Sequence, residues 1–201
     1  MSPAAIHGIF DRVCALTKGE IIVQNENQNN ERGDIIFRQA TIEDIPAMTE
    51  AKMRTWEVGY TEIFSQRYLE TMRENIGLRI QRFIGEPSYL ENRKAIVSDG
   101  VVIGTIAFKE TEADEDYDGG LEIRALYVNP DYDQQAIKTQ AIEHVCSVAK
   151  ELGENRLVTW ELEANERELA FYQANGFYGD GVCKTMKFGE PFTAIRLAKT
   201  V

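Results

Sequence analysis

The chain has 201 residues, 43% of them hydrophobic and 27% charged, with a formal net charge of -11 and a pI near 4.8. That length supports one core of ordinary size and an appendage. The acidic balance excludes nucleic acid and anionic membrane surfaces as main partners, because phosphate recognition needs clustered Lys and Arg; it suits solubility and a cationic substrate such as an amine.

In chain order, residues 3–18 place Ile6, Ile9, Phe10, Val13 and Leu16 at helical spacing, which predicts a short amphipathic helix. "EIIV" at 20–23 reads as a brief strand or as the end of that helix. The polar stretch 24–34 reads as a linker. We therefore expect residues 1–34 to be an appendage and 35–201 to be the main domain. The apolar face of the first helix needs cover, either from the main domain or from another copy of the chain.

The main domain opens with a strand at Ile35–Arg38. "TIED" then has the form of a capping box, Thr41 with Asp44, and starts a helix that runs to about Gly59. A second helical region is expected over 65–85. Two strands follow around Asp99-Gly100, a strong hairpin signal. Residues 112–118 form an acidic loop, read as a solvated charge run. "LEIRALYV" is a third strand, and a long helix over 133–152 ends at Gly153. "RLVTWEL" is another strand. A helix capped by Asn165 stops at Asn175-Gly176. "VCKTMKF" and "FTAIRLAK" close the chain as a strand pair. The order β-αα-βββ-α-β-α-ββ predicts a mixed α/β sheet with helices on both faces.

Cys14, Cys146 and Cys183 are isolated, and His7 and His144 are far apart, so no metal site is expected. Reduced thiols, no apolar run of membrane-spanning length and no signal-peptide pattern together suggest a cytoplasmic protein.

The order of elements, "LEIRALYVNPDY" and "NERELAFYQANGF" together resemble the GNAT family of acetyl-CoA-dependent N-acetyltransferases over about residues 35–199. In the second motif Asn165, Ala170, Phe171, Tyr172, Gly176 and Phe177 follow the family's succession of Asn, Ala, Phe-Tyr and Gly-Phe. "AKMRTWEVGY" resembles the family's first helix, which borders the acceptor cleft. The resemblance implies a GNAT-like fold, acetyl-CoA as co-substrate, a small-molecule or peptide amine as acceptor, and a homodimer.

It also implies roles. The main chain of Leu126, Tyr127 and Val128 would face the cofactor arm, and the loop and helix start at Gln134, Gln135, Ala136, Ile137, Lys138 and Thr139 would meet the pyrophosphate. Asn165 would lie near the arm, besides capping its helix. Tyr172 would donate a proton or a hydrogen bond to the leaving thiolate. Trp56, Tyr60, Phe64 and Tyr68 would border the acceptor, although core packing claims at least half of them. Glu122 sits where some family members place a catalytic glutamate, and period-two alternation puts it on one strand face with Arg124 and Leu126. It serves equally well as a partner for Arg124. Glu161 is a second candidate base on the cleft side, and if buried it needs a partner.

The pyrophosphate loop departs from the family's glycine pattern. Set on Val128-Asn129-Pro130, the frame puts Asp133 where Gln or Arg is usual, Ala136 at the first glycine and Lys138 at the second. A frame slipped by one brings Gln134 to the Gln/Arg place without restoring a glycine. Asp133 opposes a pyrophosphate by like charge. Lys138 either grips phosphate or obstructs it, while the helix start keeps its free N–H groups. The alternative to an active enzyme is a catalytically impaired GNAT-fold binding or regulatory module.

Overall fold

A computed structural model describes the strand Ile21–Ile22 together with residues 34–111 and 119–201. The expected N-terminal helix, most of the polar linker and the acidic loop 112–118 lie outside the described residues. Strand β1 (Ile21–Ile22) pairs with β2 (Ile35–Gln39), so "EIIV" takes the strand reading.

Thr41 opens a short 3-10 turn, donating its backbone N–H to the Asp44 carboxylate at 2.8 Å. Helix α1 (Ile45–Gly59) follows. The second helical region is two helices, α2 (Gln66–Glu74) and α3 (Ile76–Ile84), rather than one. Asn75 breaks it: both its backbone and its side-chain N–H bond back to the Thr71 carbonyl, a local competitor to helix continuation.

Strands β3 (Arg93–Ser98) and β4 (Val101–Thr111) meet at Asp99 and Gly100, both at positive φ (51° and 76°). That geometry suits a two-residue hairpin turn. Next come β5 (Gly120–Val128), α4 (Gln134–Leu152), β6 (Arg156–Leu162), α5 (Glu166–Ala174), β7 (Tyr178–Phe188) and β8 (Glu190–Thr200). The described strands form one sheet in the order β1-β2-β3-β4-β5-β6-β8-β7, and among them only β5 and β6 run parallel.

Helices cover both faces. On one side α4 and α5 close a core with Ile137, Ile142, Val145, Val148 and Phe171 set against strand residues such as Ile96, Leu121 and Leu157. On the other, α1 and α2 pack Met53, Trp56, Leu69 and Met72 against Leu162 and Ala194.

Two irregularities position the site. Ala107 pairs with Ala125 and Phe108 with Ile123, which leaves Arg124 as the extra residue of a β-bulge. The bulge resets the alternation. Leu121 and Ile123 belong to the α4/α5-side core before it, whereas Leu126 packs there and Val128 belongs there after it. The expectation that Glu122 shares a face with Leu126 is therefore corrected: the bulge turns the two to opposite sides. The second irregularity is a splay. The parallel β5–β6 ladder ends at Ile123–Thr159, although both strands continue.

Candidate active site

The splay opens a cleft of about 210 Å³ between the C-terminal halves of β5 and β6. Its floor is the free edge of β5 from Arg124 to Tyr127. Thr55, Trp56, Tyr60 and Phe64 close one side, Thr159, Trp160, Glu161 and Leu162 another, and Lys138, Glu168 and Tyr172 the far end. Among the described residues no strand pairs with that β5 edge beyond Ile123, so the backbone groups of Leu126 and Val128 turn to the cleft side while those of Tyr127 turn to β4. The Val128 carbonyl is already taken, by the Thr55 hydroxyl at 3.0 Å and the Gln134 amide at 2.6 Å.

Glu161 is the best-supported carboxylate in the cleft. It is 9% exposed, and its Oε1 accepts from the Leu162 N–H at 2.9 Å, the Asn165 amide at 3.2 Å and the Tyr60 hydroxyl at 3.5 Å. Burial pushes its acid form up to a pKa of about 7; the Leu162 and Asn165 hydrogen bonds and Lys138 pull the other way, and Glu168 adds to the rise. The partner that a buried carboxylate here requires is thus present threefold. Glu122 sits lower in the cleft, 3.9 Å from the Arg124 guanidinium, so the ion-pair reading of that residue has a geometric counterpart.

Tyr172 is buried between Phe171 and Phe177, whose rings meet it edge-on at 5.4 and 5.2 Å. Burial holds its phenol well above the ordinary range, and Glu161 and Glu168 add to that. It remains a neutral donor at any working pH. Tyr60 is raised in the same way, first by burial and then by Glu161. Trp56 and Phe64 are buried in the aromatic core, and Tyr60 stacks against both. Tyr68 lies outside the cleft, edge-on to Phe64.

The structure spreads the remaining expected residues more widely. Asn165 caps α5, accepting the Glu168 N–H at 3.3 Å, and its amide nitrogen supports Glu161. It is a wall residue, 3% exposed, and does not line the cleft. Gln134, Gln135, Ala136, Ile137 and Thr139 form the first turns of α4, with Ile137 in the core; among the loop and helix-start residues only Lys138 reaches the cleft. Of the two readings of Lys138, a grip on phosphate or an obstruction, the structure bears on the first by giving its charge a partner within the chain. Its ammonium lies 2.8 and 2.7 Å from the two Glu168 oxygens and 4.1 Å above the Phe171 ring, with the side chain 8% exposed. Sequence reasoning missed Glu168. Its place one turn after Asn165, on the α5 face toward Lys138, emerges only when α4 and α5 are set side by side.

The matching family model, described as the acetyltransferase (GNAT) family, covers residues 46–177. The chain belongs to the GNAT family. Solved structures of similar fold include the PaiA N-acetyltransferase from Thermoplasma acidophilum in complex with coenzyme A, at 22% identity and a TM-score of 0.60, matching 83% of this chain and 99% of that one. A GCN5-related N-acetyltransferase from Rhodopseudomonas palustris matches with 17% identity and a TM-score of 0.61, over 87% of this GNAT chain and 99% of its own. Naa20 from Chaetomium thermophilum, in complex with a bisubstrate analogue, has 18% identity and a TM-score of 0.57, over 82% and 86% of the respective chains. Among curated proteins no sequence relative matches. The fold supports acetyl transfer generally, and among the described residues no helix is long and apolar enough to cross a membrane.

Against coenzyme A the two ends of this GNAT site behave differently. The unpaired β5 edge fits an extended amide-bearing arm. The α4 start does not fit a pyrophosphate: its N-cap is a carboxylate, Asp133, which accepts the Ala136 N–H at 3.3 Å.

Proposed function

We propose that this GNAT protein transfers an acyl group from a thioester to a primary amine of a small molecule or peptide, with Glu161 as the base and Tyr172 as the hydrogen-bond donor to the leaving sulfur. One observation carries the reading: the splay of β5 from β6 sets an unpaired strand edge between a buried carboxylate poised near neutrality and a buried neutral phenol.

A thioester donor supplies the activated acyl carbon. The residues do the rest. On the free β5 edge the Leu126 N–H is the donor available to a developing oxyanion, since Tyr127 turns its main chain toward β4. An amine attacks only when neutral. Glu161, half ionised near pH 7, takes the proton that the amine nitrogen sheds as the C–N bond forms and the C–S bond breaks. The sulfur leaves as a thiolate, hydrogen-bonded by the Tyr172 hydroxyl, and takes a proton from solvent, to which Glu161 releases the proton it took from the amine. The raised phenol favours hydrogen-bond donation over full proton transfer. Trp56 and Tyr60 line the side of the cleft from which the amine approaches. Glu122, paired with Arg124 at the cleft floor, has less claim to the proton. We further propose cytoplasmic residence and a homodimer. The test is thiol release from acetyl thioesters with a panel of primary amines. Release that depends on the amine supports transfer; none with any pairing ends this reading in favour of a binding module.

A further inference from the structure

The donor half of the site differs from the acceptor half in one respect: two of its openings are already filled by the chain itself. At the start of α4 the free N–H groups of a helix ordinarily attract an anion. Here Asp133 provides that anion from within the chain, its Oδ1 on the Ala136 N–H. A second negative group at the same amides meets its charge directly. One turn further on, Lys138 occupies a position where a small residue would leave a gap between α4 and α5. Its Nζ spans that gap to Glu168, at 2.8 and 2.7 Å, and rests on Phe171. The cation that sequence position offered to a phosphate is therefore spent inside the wall. Arg54, which reaches the same loop, is engaged with Asp131 at 3.0 Å. By contrast, the β5 edge stands open along Arg124–Tyr127.

We infer that this chain recognises its donor through the thioester and the amide-bearing arm alone, without a grip on the diphosphate. A pantetheine thioester, cut short before the nucleotide, then serves as well as the full coenzyme. The inference rests on the acyl-transfer reading above and deepens it, assigning Asp133 and the Lys138–Glu168 pair as the groups that set donor specificity.

The experiment compares S-acetyl-pantetheine with acetyl-CoA on the full chain, by kcat/KM for thiol release with one responsive amine and by melting temperature. The expected result is a ratio of kcat/KM within about threefold, with equal shifts in melting temperature at equal concentration. Preference for acetyl-CoA by more than about tenfold, the least that charge-assisted diphosphate bonds would give, overturns the inference and leaves acyl transfer standing. Neither donor binding overturns the acyl-transfer reading and the inference with it. A second arm uses Asp133→Ser, which keeps a capping oxygen but removes the charge. It should raise kcat/KM for acetyl-CoA several-fold while leaving acetyl-pantetheine unchanged. Equal change for both donors, or none, removes Asp133 as the source of the discrimination.

Discussion

Helix α4 covers two buried clusters of ionisable groups, and they are built on opposite rules. At its start, Lys138 is matched by Glu168, and nearby Glu161 has three donors on one oxygen. Beneath its middle, His144 lies flat against Phe37 (ring centroids 5.1 Å apart, 7° between planes) with neither ring nitrogen hydrogen-bonded. The Lys94 ammonium, fully buried, likewise has no hydrogen-bond partner. Burial lowers Lys94 to about 8; burial and then Lys94 lower His144 to about 4. The first cluster faces the open cleft and keeps its charges by partnering them. The second faces the core, where burial disfavours both charges: His144 is neutral near pH 7, and Lys94 carries its charge unpartnered. The difference is one of partners: the cleft-side cluster is hydrogen-bonded and ion-paired, and the core-side cluster is neither.

The largest expected effect lies in the first cluster. Glu161→Gln keeps an oxygen for the Leu162 N–H but cannot take a proton. We expect kcat/KM to fall by about 10²–10⁴ with the fold intact. In the wild type, kcat/KM should climb through an apparent pKa near 7 and level off above it. A variant that retains the same ascending limb would assign that limb to another group, with Glu122 the first to examine.

Lys94→Met breaks the second cluster. Lys94 is depressed from its ordinary 10.5 to about 8, so between those values the unfolded chain binds more protons and stability rises with pH. Below pH 8 the native ammonium is charged, buried and without a hydrogen-bond partner. A methionine of similar length should stabilise the protein at pH 7 by about 2–3 kcal/mol and flatten part of the climb between pH 8 and 10. Lys52, also lowered to about 8 by burial, Arg79 and Arg93, supplies the rest of that climb. Urea denaturation at pH 7 and pH 9.5 measures both, and an unchanged slope in the variant would show that Lys94 finds a partner in solution.

His144→Phe acts in the acid range with a smaller amplitude. The imidazole is depressed from 6.5 to about 4, so its contribution is intact above pH 6.5 and is lost as pH falls toward 4. Glu161 is raised from 4.5 to about 7 and has the opposite sign, contributing stability as pH falls below 7. The two offset each other in the wild type. The phenylalanine variant should lose about 2 kcal/mol less than the wild type between pH 6.5 and 4.5, read as the difference between two urea titrations. Equal acid sensitivity of the two proteins would contradict the shift.

The contrast between the clusters also marks what the sequence could reveal. Local signals were legible: Asp99-Gly100 as a hairpin turn, Gly153 and Asn165 at helix ends, Tyr172 within "FYQANGF". Each depends on a few adjacent residues. The bulge at Arg124 was not, because an extra residue in one strand is defined by its neighbour's register, and it reversed the face assigned to Glu122 relative to Leu126. The Lys138–Glu168 pair joins residues 30 apart, and the one-turn offset between α4 and α5 that brings them together has no trace in spacing. Lys94 reads as an ordinary strand lysine until the sheet and α4 are both in place above it.

Asn165→Ala tests the comparison from the other direction, by making the first cluster more like the second. The alanine removes an α5 N-cap, which costs about 1 kcal/mol, and deprives Glu161 of one of three donors. With less to offset its burial, the carboxyl should rise further above 7. The ascending limb of the rate profile should move to higher pH, while the plateau above it is largely kept, because the base itself is still present. Asn165→Asp separates the two roles: it keeps the cap but sets a second carboxylate against Glu161, so stability should recover while the limb shifts further upward. If both variants leave the limb where it is, then burial and the Leu162 N–H alone set the protonation of Glu161, and the asparagine serves the helix rather than the base.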